Sequence, residues 1–288
     1  MEHPDPVRDD AVWRVKGHEL SLSKPIVMGI LNVTPDSFSD GGLYRDSDTA
    51  IEAGRRMAAA GAGIIDVGGE STRPYSEPVD ADEERSRVLP VVRGLADDGI
   101  TVSVDTSKPE VARDAVAAGA VVVNDVTGLE NPEMVSLCAE AGVGVVIMHM
   151  QGNPRTMQDE PSYGNVVDEV ATYLAGQSRK ALAGGIPIEA IAIDPGIGFG
   201  KTVEHNLELL RRLDVFTHLG YPVLIGTSRK GFLGKLLEPH RGDTTPAERD
   251  GATAATMAAA VLRGASILRV HNVPLAVDVA TTATAIVR

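Results

Sequence analysis

The sequence predicts an α/β protein, a single (β/α)8 TIM barrel with a short N-terminal hairpin. Three observations carry that prediction. Eight short apolar runs alternate with segments of helical period, the pattern of a parallel sheet covered by helices. The runs are rich in Val, Ile, Leu and Ala and poor in aromatic residues, which suits strands buried on both faces. The competing doubly wound sheet needs a Gly-x-Gly-x-x-Gly turn after its first strand, and none is there. At 288 residues the chain is long enough for one such barrel.

Residues 1–11 are acidic and punctuated by proline, and they read as a disordered tail ahead of one domain over 12–288. Val12 to Leu22 alternates around Lys16-Gly17, which predicts a hairpin. The first barrel strand, Ile26 to Leu31, ends on Asn32 and hands over to a polar loop whose one aromatic residue is Phe38. A helix over Ser47–Gly61 leads to strand two, Gly63–Gly69, and then to the loop Glu70–Pro78. Helix Ala81–Asp97 precedes strand three, Ile100–Asp105, and helix Pro109–Ala118 precedes strand four, Val121–Asn124. Helix Pro132–Ala141 leads into strand five, Gly144–His149, and a longer helix, Gly164–Ala183, into strand six, Ile191–Asp194. The glycine-rich loop Pro195–Lys201 opens helix Val203–Leu213. Strand seven is Pro222–Gly226, with Thr227–Lys230 beginning its helix. A polar insert Glu238–Pro246, helix Ala247–Arg263, strand eight Ser266–Val270 and a closing helix Leu275–Val287 follow.

Composition excludes several classes of function. The chain is 43% hydrophobic and 23% charged, ordinary for a globular protein. A formal net charge of −13 argues against non-specific nucleic-acid or anionic-membrane binding. No run of 18 apolar residues and no signal-peptide pattern is present, so neither membrane nor secretion is expected. The one cysteine fits a reducing cytoplasm, and the helical spacing of Cys138 with Met134, Leu137 and Ala141 makes it a core thiol. No zinc-spaced His/Cys cluster and no Walker A loop appears.

In a barrel of this kind the C-terminal strand ends build the site. Those positions hold Asn32, Asp66, Asp105, Asn124, His149, Asp194, Ser228, Lys230, Arg269 and His271. Singly, each has a plainer role: a strand-end Asp or Asn can cap the next helix, and His149 can be a satisfied core histidine. Asp66 lies within its run, so a buried supporting carboxylate and a ligand contact stand as equal readings. Asp125, beside Asn124, points away by pleat alternation. Ten polar groups on one rim exceed what capping requires, and a common pocket is expected. Asp105, Asn124 and Asp194 suit a flat heterocycle with amino and ring N–H donors. Arg269, His271 and Arg73 offer donors to an anion, and Asn32 offers an oxygen to a hard cation that keeps waters and substrate oxygens.

The run Met28–Asp40 resembles the first signature of the dihydropteroate synthase family, and Asp66–Pro74 resembles its second. Ser103–Thr106, Val123–Asp125, His149–Pro154, Asp194–Lys201, Ser228–Lys230 and Arg269–His271 are similar to the remaining motifs, in family order. The resemblance runs from about Pro25 to the C-terminus. It implies condensation of 6-hydroxymethyl-7,8-dihydropterin diphosphate with 4-aminobenzoate, giving 7,8-dihydropteroate and diphosphate in folate biosynthesis. It also implies Mg2+, sulfonamides as competitors and a homodimer. By resemblance the pterin site comprises Asp105, Asn124, Asp194, Lys230, Met148, Phe199 and Gly226. Asn32, as the Mg2+ ligand, joins Arg73, Arg269 and His271 on the diphosphate. Phe38, Thr72, Pro74 and Ser228 shape the aminobenzoate site. The catalytic set implied is Asp105, Asp194, Lys230, Arg269, His271 and Arg73. Two departures stand out: Tyr75 where a small residue is usual, and Asn272 where Asp is common.

The chemistry expected is dissociative substitution, with Asp105 and Asp194 facing the positive charge that develops on the pterin. Two other readings remain, a corrinoid-methyltransferase-like pterin barrel and a non-catalytic pteridine-binding paralogue. The first would lack the Thr72–Pro74 and Ser228–Lys230 groups, and the second would be expected to lose Asn32, Arg73 or Lys230. The loops Thr34–Gly42 and Glu70–Pro78 are rich in Gly, Ser, Pro and Asp, so neither is expected to be fixed without ligand. Aminobenzoate should therefore bind after the pterin diphosphate.

Overall fold

The computed structural model describes residues 11–34, 42–71 and 78–287, with the backbone alone at 42–46. The hairpin comes first, β1 (Val12–Val15) antiparallel to β2 (His18–Ser21), with Val15 opposite His18. Its turn places Lys16 at φ 41° and Gly17 at φ 81°, the paired positive φ of a type I′ turn. Eight parallel strands follow: β3 (Ile26–Asn32), β4 (Ile64–Gly68), β5 (Val102–Asp105), β6 (Val122–Asp125), β7 (Gly144–Met148), β8 (Ile191–Asp194), β9 (Leu224–Ile225) and β10 (Ile267–Val270). They run in the order β8-β7-β6-β5-β4-β3-β10-β9. A parallel bridge from Ile193 to Val223, with Ile193 N–H donating to Pro222 O at 2.9 Å, brings the two edges together. The result is the nearly closed barrel that the alternation predicts.

Among the described residues ten α-helices cover it: α1 (Gly42–Ala59), α2 (Ala81–Asp97), α3 (Pro109–Ala117), α4 (Pro132–Ala141), α5 (Val166–Ala183), α6 (Val203–Arg211), α7 (Asp214–Thr217), α8 (Gly231–Arg241), α9 (Asp250–Val261) and α10 (Val273–Val287). Local signals account for many of the starts. Asp80, Asn131, Asn165 and Thr202 each accept a backbone N–H as N-cap, and Pro109 and Pro132 occupy the first turn of α3 and α4. Several boundaries differ from the sequence reading: α1 begins at Gly42 instead of Ser47, and α9 at Asp250 instead of Ala247. β9 is only two residues long, and α8 continues to Arg241 across Pro239 instead of giving way to a polar insert at Glu238. Proline removes one N–H, yet the last turn still closes through Gly242 N–H to Glu238 O at 2.9 Å.

The two-residue period of the strands divides the core. Val27, Ile65, Val104, Val123, Val145, Ile193, Ile225 and Leu268 pack outward against the helices. Their neighbours Met28, Ile64, Val122, Val146, Ala192, Leu224 and Ile267 pack together inside the barrel, with Trp13 and Val15 of the hairpin closing that cluster. Trp13 is fully buried and donates its Nε1–H to Ala190 O at 2.9 Å. Counting two residues along from the inner cluster reaches Asp66, Asn124, Met148, Asp194, Gly226 and Arg269. The barrel's own alternation thus aims these side chains at one mouth. Cys138 is buried in the outer core, as its spacing predicts, and burial raises its pKa to about 12.

Trp13→Ala should cost about 3–5 kcal/mol, the usual loss for a buried tryptophan. Because Trp13 is the only tryptophan, the transition is followed by circular dichroism in denaturant. A loss below about 1 kcal/mol would show that the hairpin does not share the barrel's cooperative core.

Candidate functional site

Strand register puts the site residues side by side. Asp105 on β5 is level with Asn124 on β6, and Met148 on β7 is level with Asp194 on β8. Arg269 enters from β10 and crosses the mouth. Its Nε–H donates to Asp66 Oδ2 at 2.6 Å and its Nη2–H to Asp105 Oδ2 at 2.5 Å. Asp66 also accepts from Asn124 Nδ2 at 3.0 Å. A carboxylate can only accept, so this bond fixes the Asn124 amide with its Oδ1 turned away from Asp66. Asp66 is therefore a supporting residue, fully buried, that orients two site residues at once. Sequence reasoning left its role open because the partners lie 58 and 203 positions away.

Burial governs the electrostatics. Asp105 is desolvated, and its pKa rises to about 7 even though the Arg269 guanidinium pulls it down. Asp194 is raised by burial too, against the cations of Lys230, Arg269 and Lys201, and its Oδ1 accepts the Gly196 N–H at 2.7 Å. Burial lowers the Lys230 amine to about 7 while Asp194 opposes the shift. Lys230 donates to Ile197 O, and its Nζ stands 4.0 Å over the centre of the Phe199 ring. Phe199 packs with Met148, Val126 and Met157 in a small apolar cluster at the mouth. Carboxylate acceptors, an amine and an apolar cluster lie together at the mouth, the combination that recognises a polar heterocycle.

On the opposite side, Ser228 Oγ accepts the His271 N–H at 3.1 Å and lies 2.9 Å from His271 Nδ1. The hydroxyl can donate to Nδ1 or accept from it, so this contact fixes the orientation of the ring. Between Ser228 and Lys230, Arg229 adopts φ 59° and pairs with Asp250 through Nε at 2.7 Å and Nη2 at 2.9 Å. That left-handed residue turns Arg229 out of the site while its two neighbours stay in it. Asn272 donates to Asp250 at 2.9 Å and accepts from Leu275 N–H, so this departure from the expected Asp holds the start of α10. Asp125 turns away from the mouth and accepts from Thr127 and Leu129 N–H, as alternation predicts.

A cavity of about 300 Å3 opens beside Asp105, bounded among others by Glu70, Ser71, Thr106, Val126 and Met150. The stems of the loop next to it are tied together. Glu70 accepts from Val79 N–H at 3.2 Å, Lys108 pairs with Glu70 and Glu84, and Arg87 donates to Gly69 O. Sequence reasoning missed Lys108, Glu84 and Lys201, since no local pattern marks a charged side chain whose partner lies on another element. Asn32 stands half-buried at the end of β3, and among the described residues its side chain makes no hydrogen bond. Gly226 faces Arg269 across a gap that a Cβ would fill at 3.9 Å. Phe38, Thr72, Arg73, Pro74 and Tyr75 lie outside the described residues.

The model of the family described as pterin binding enzyme matches residues 28–271. The dihydropteroate synthase of Escherichia coli K12 is 47% identical over 264 residues, 91% of this chain and 92% of that protein. The Yersinia pestis dihydropteroate synthase in a sulfonamide drug complex superposes with a TM-score of 0.89 at 40% identity, covering 96% of this chain and 98% of that one. The Xanthomonas albilineans enzyme, with the same coverage, superposes at 0.88 with 4-aminobenzoic acid and at 0.85 with 7,8-dihydropteroate, at 43% and 41% identity. With its length and its barrel shared this fully, the chain belongs to the dihydropteroate synthase family of pterin-binding enzymes.

Proposed function

We propose that residues 12–288 form one catalytic domain that condenses 6-hydroxymethyl-7,8-dihydropterin diphosphate with 4-aminobenzoate. The products are 7,8-dihydropteroate and diphosphate, in folate biosynthesis. The observation that carries this reading is the interior layer of polar residues at the barrel mouth, organised by Arg269. Asp194 accepts from the amino group and ring N–H of the pterin, beside Asn124 Oδ1 and Lys230, while Met148, Phe199 and Gly226 bound the ring. Such bonds to a buried carboxylate contribute about 1.5–3 kcal/mol each.

The C–O bond of the pterin methylene breaks with its electron pair leaving on diphosphate, and the ring takes up positive charge. Ionised Asp105 and Asp194 stabilise that charge from fixed positions in a low-dielectric site. Arg269 has five N–H donors and gives one to each of two carboxylates, so others remain for an anion. His271 and Arg73 serve the same diphosphate. The nitrogen of aminobenzoate, whose site Phe38, Thr72, Pro74 and Ser228 shape, forms the new C–N bond and then loses a proton. Asn32 suits Mg2+ through its amide oxygen, the remaining ligands being diphosphate oxygens and water. Bound there, the ion would neutralise charge on the leaving group.

Sulfonamides would compete for the aminobenzoate position. The buried thiol Cys138 supports a cytoplasmic, reducing setting, and among the described residues no helix is long and apolar enough to cross a membrane. Leu262 and Ile286, 41% and 70% exposed at the end of α9 and on α10, support a homodimer through these packed helices.

The test of the activity is diphosphate release, expected only with both substrates present; release without aminobenzoate, or none at all, would contradict it. Asp194→Ala should abolish binding of the pterin measured by calorimetry, and affinity like the wild type would reject its role. Because Asp105 must be ionised and its carboxyl titrates near 7, kcat/KM for the pterin diphosphate should fall as pH drops below about 7. A flat profile between about pH 6 and 8 would remove Asp105 from the catalytic set. Aminobenzoate should bind only after pterin, diphosphate and Mg2+, and equal calorimetric affinity without them would refute the ordered scheme.

A further inference from the structure

The loop between β8 and α6 is pressed onto the chain that follows β7. At Gly196 (φ 68°) a Cβ would lie 1.8 Å from His149 O, and at Gly200 (φ 62°) 2.4 Å from Gln151 O, so only glycine fits either place. Gln158 Nε2 and Tyr163 Oη donate to Gly198 O and Gly200 O at 2.7 and 2.9 Å, fastening the loop from the other side. Behind it sits Lys201, only 3% exposed. A buried amine needs partners for its hydrogens, and Lys201 Nζ has three within reach. They are Phe199 O at 2.9 Å, His149 Nδ1 at 2.9 Å and His149 O at 3.4 Å.

Three acceptors around one nitrogen match the three donors of an ammonium. The match requires a neutral His149 with its proton on Nε2. Its burial beside the Lys201 charge keeps the imidazole neutral, with a pKa of about 3. The backbone of the loop then carries the effect onward, because Phe199 is the residue over whose ring Lys230 stands, and Ile197 O is the acceptor of Lys230. His149 N–H in turn donates to Asp194 O at 3.0 Å, joining the same lysine to the end of β8.

We propose that Lys201 is a positioning residue for the pterin pocket, its ammonium fixing the Phe199 backbone and the His149 tautomer so that Phe199, Lys230 and Asp194 keep their mutual geometry. The inference rests on the reading that this pocket takes the pterin. Lys201 touches no substrate in this scheme; it acts through the loop and through His149. It also lies near enough to Asp194 for the two charges to influence each other. Burial lowers the Lys201 amine to about 7 against the pull of Asp194, so below that pH Lys201 remains as positive charge beside this carboxylate when Lys230 exchanges Ile197 O for the substrate.

The test uses the whole protein and two measurements. Lys201→Met keeps the length of the side chain and removes its charge and donors. KM for the pterin diphosphate should rise about tenfold or more, while KM for aminobenzoate stays within about twofold, a split that general loosening of the barrel would not produce. Nitrogen-15 spectra of wild-type protein at pH 6, where the Lys201 amine is mostly charged and His149 still neutral, should show His149 protonated on Nε2 and bare at Nδ1. An unchanged KM for the pterin diphosphate, or a proton on Nδ1, would overturn the proposal. If Lys201→Met fails to fold, the wild-type ring spectrum decides alone. Wild-type turnover in the same assay separates the two levels. Absence of diphosphate release would sink the proposed function, whereas normal release with an indifferent variant would sink only the role of Lys201.

Discussion

The site depends on one guanidinium. Arg269 reaches from β10 across the barrel mouth to carboxylates on β4 and β5. Asp66 and Asp105 are both buried and converge on one space, an arrangement that would be costly without a cation between them. Lysine could supply the charge but not two donors in a rigid plane. From that bridge the rest follows. Asp66, held by Arg269, sets the Asn124 amide, and Asp105, held at its other end, stands level with Asn124 across the ladder.

The apolar frame makes such a cluster possible. Met28, Ile64, Val122, Val146, Ala192, Leu224 and Ile267 fill the barrel beneath the polar layer, and Trp13 seals the far end. Water is therefore excluded from below, and the charges meet solvent only at the mouth. The raised acids Asp105 and Asp194 and the lowered amines Lys201 and Lys230 express one cause, desolvation opposed by neighbours of opposite charge. A site built this way stabilises charge that appears during reaction without having to reorganise. It needs no activated nucleophile, since the amine it would use is already nucleophilic.

Much of this was legible in the sequence, because the barrel writes its mouth at strand ends. Asn32, Asp105, Asn124, Asp194 and Arg269 each terminate or nearly terminate an apolar run, and the two-residue period separates Asn124 from Asp125. What could not be read were relations between distant elements. Nothing local tells Asp66 that its partner is Arg269, or Lys201 that it will lie beside His149. The brevity of β9 was equally hidden, since Pro222–Gly226 has the composition of a full strand while its pairing is decided by neighbours. The polar run from Glu238 read as an insert, yet the helix continues across Pro239 to Arg241.

The central claim, that Arg269 and Asp66 act as one unit on which the mouth is built, is tested most directly by a double-mutant cycle on stability. Arg269→Met, Asp66→Asn and the double variant would be unfolded in denaturant alongside the wild type. The account predicts that the single changes are strongly non-additive, with a coupling energy of about 1–3 kcal/mol, because Arg269→Met alone strands the buried charge of Asp66, a loss the double variant does not suffer, while Asp105 loses its cation equally in both. Additivity to within about 0.5 kcal/mol would contradict it and make the bridge a contact of no consequence.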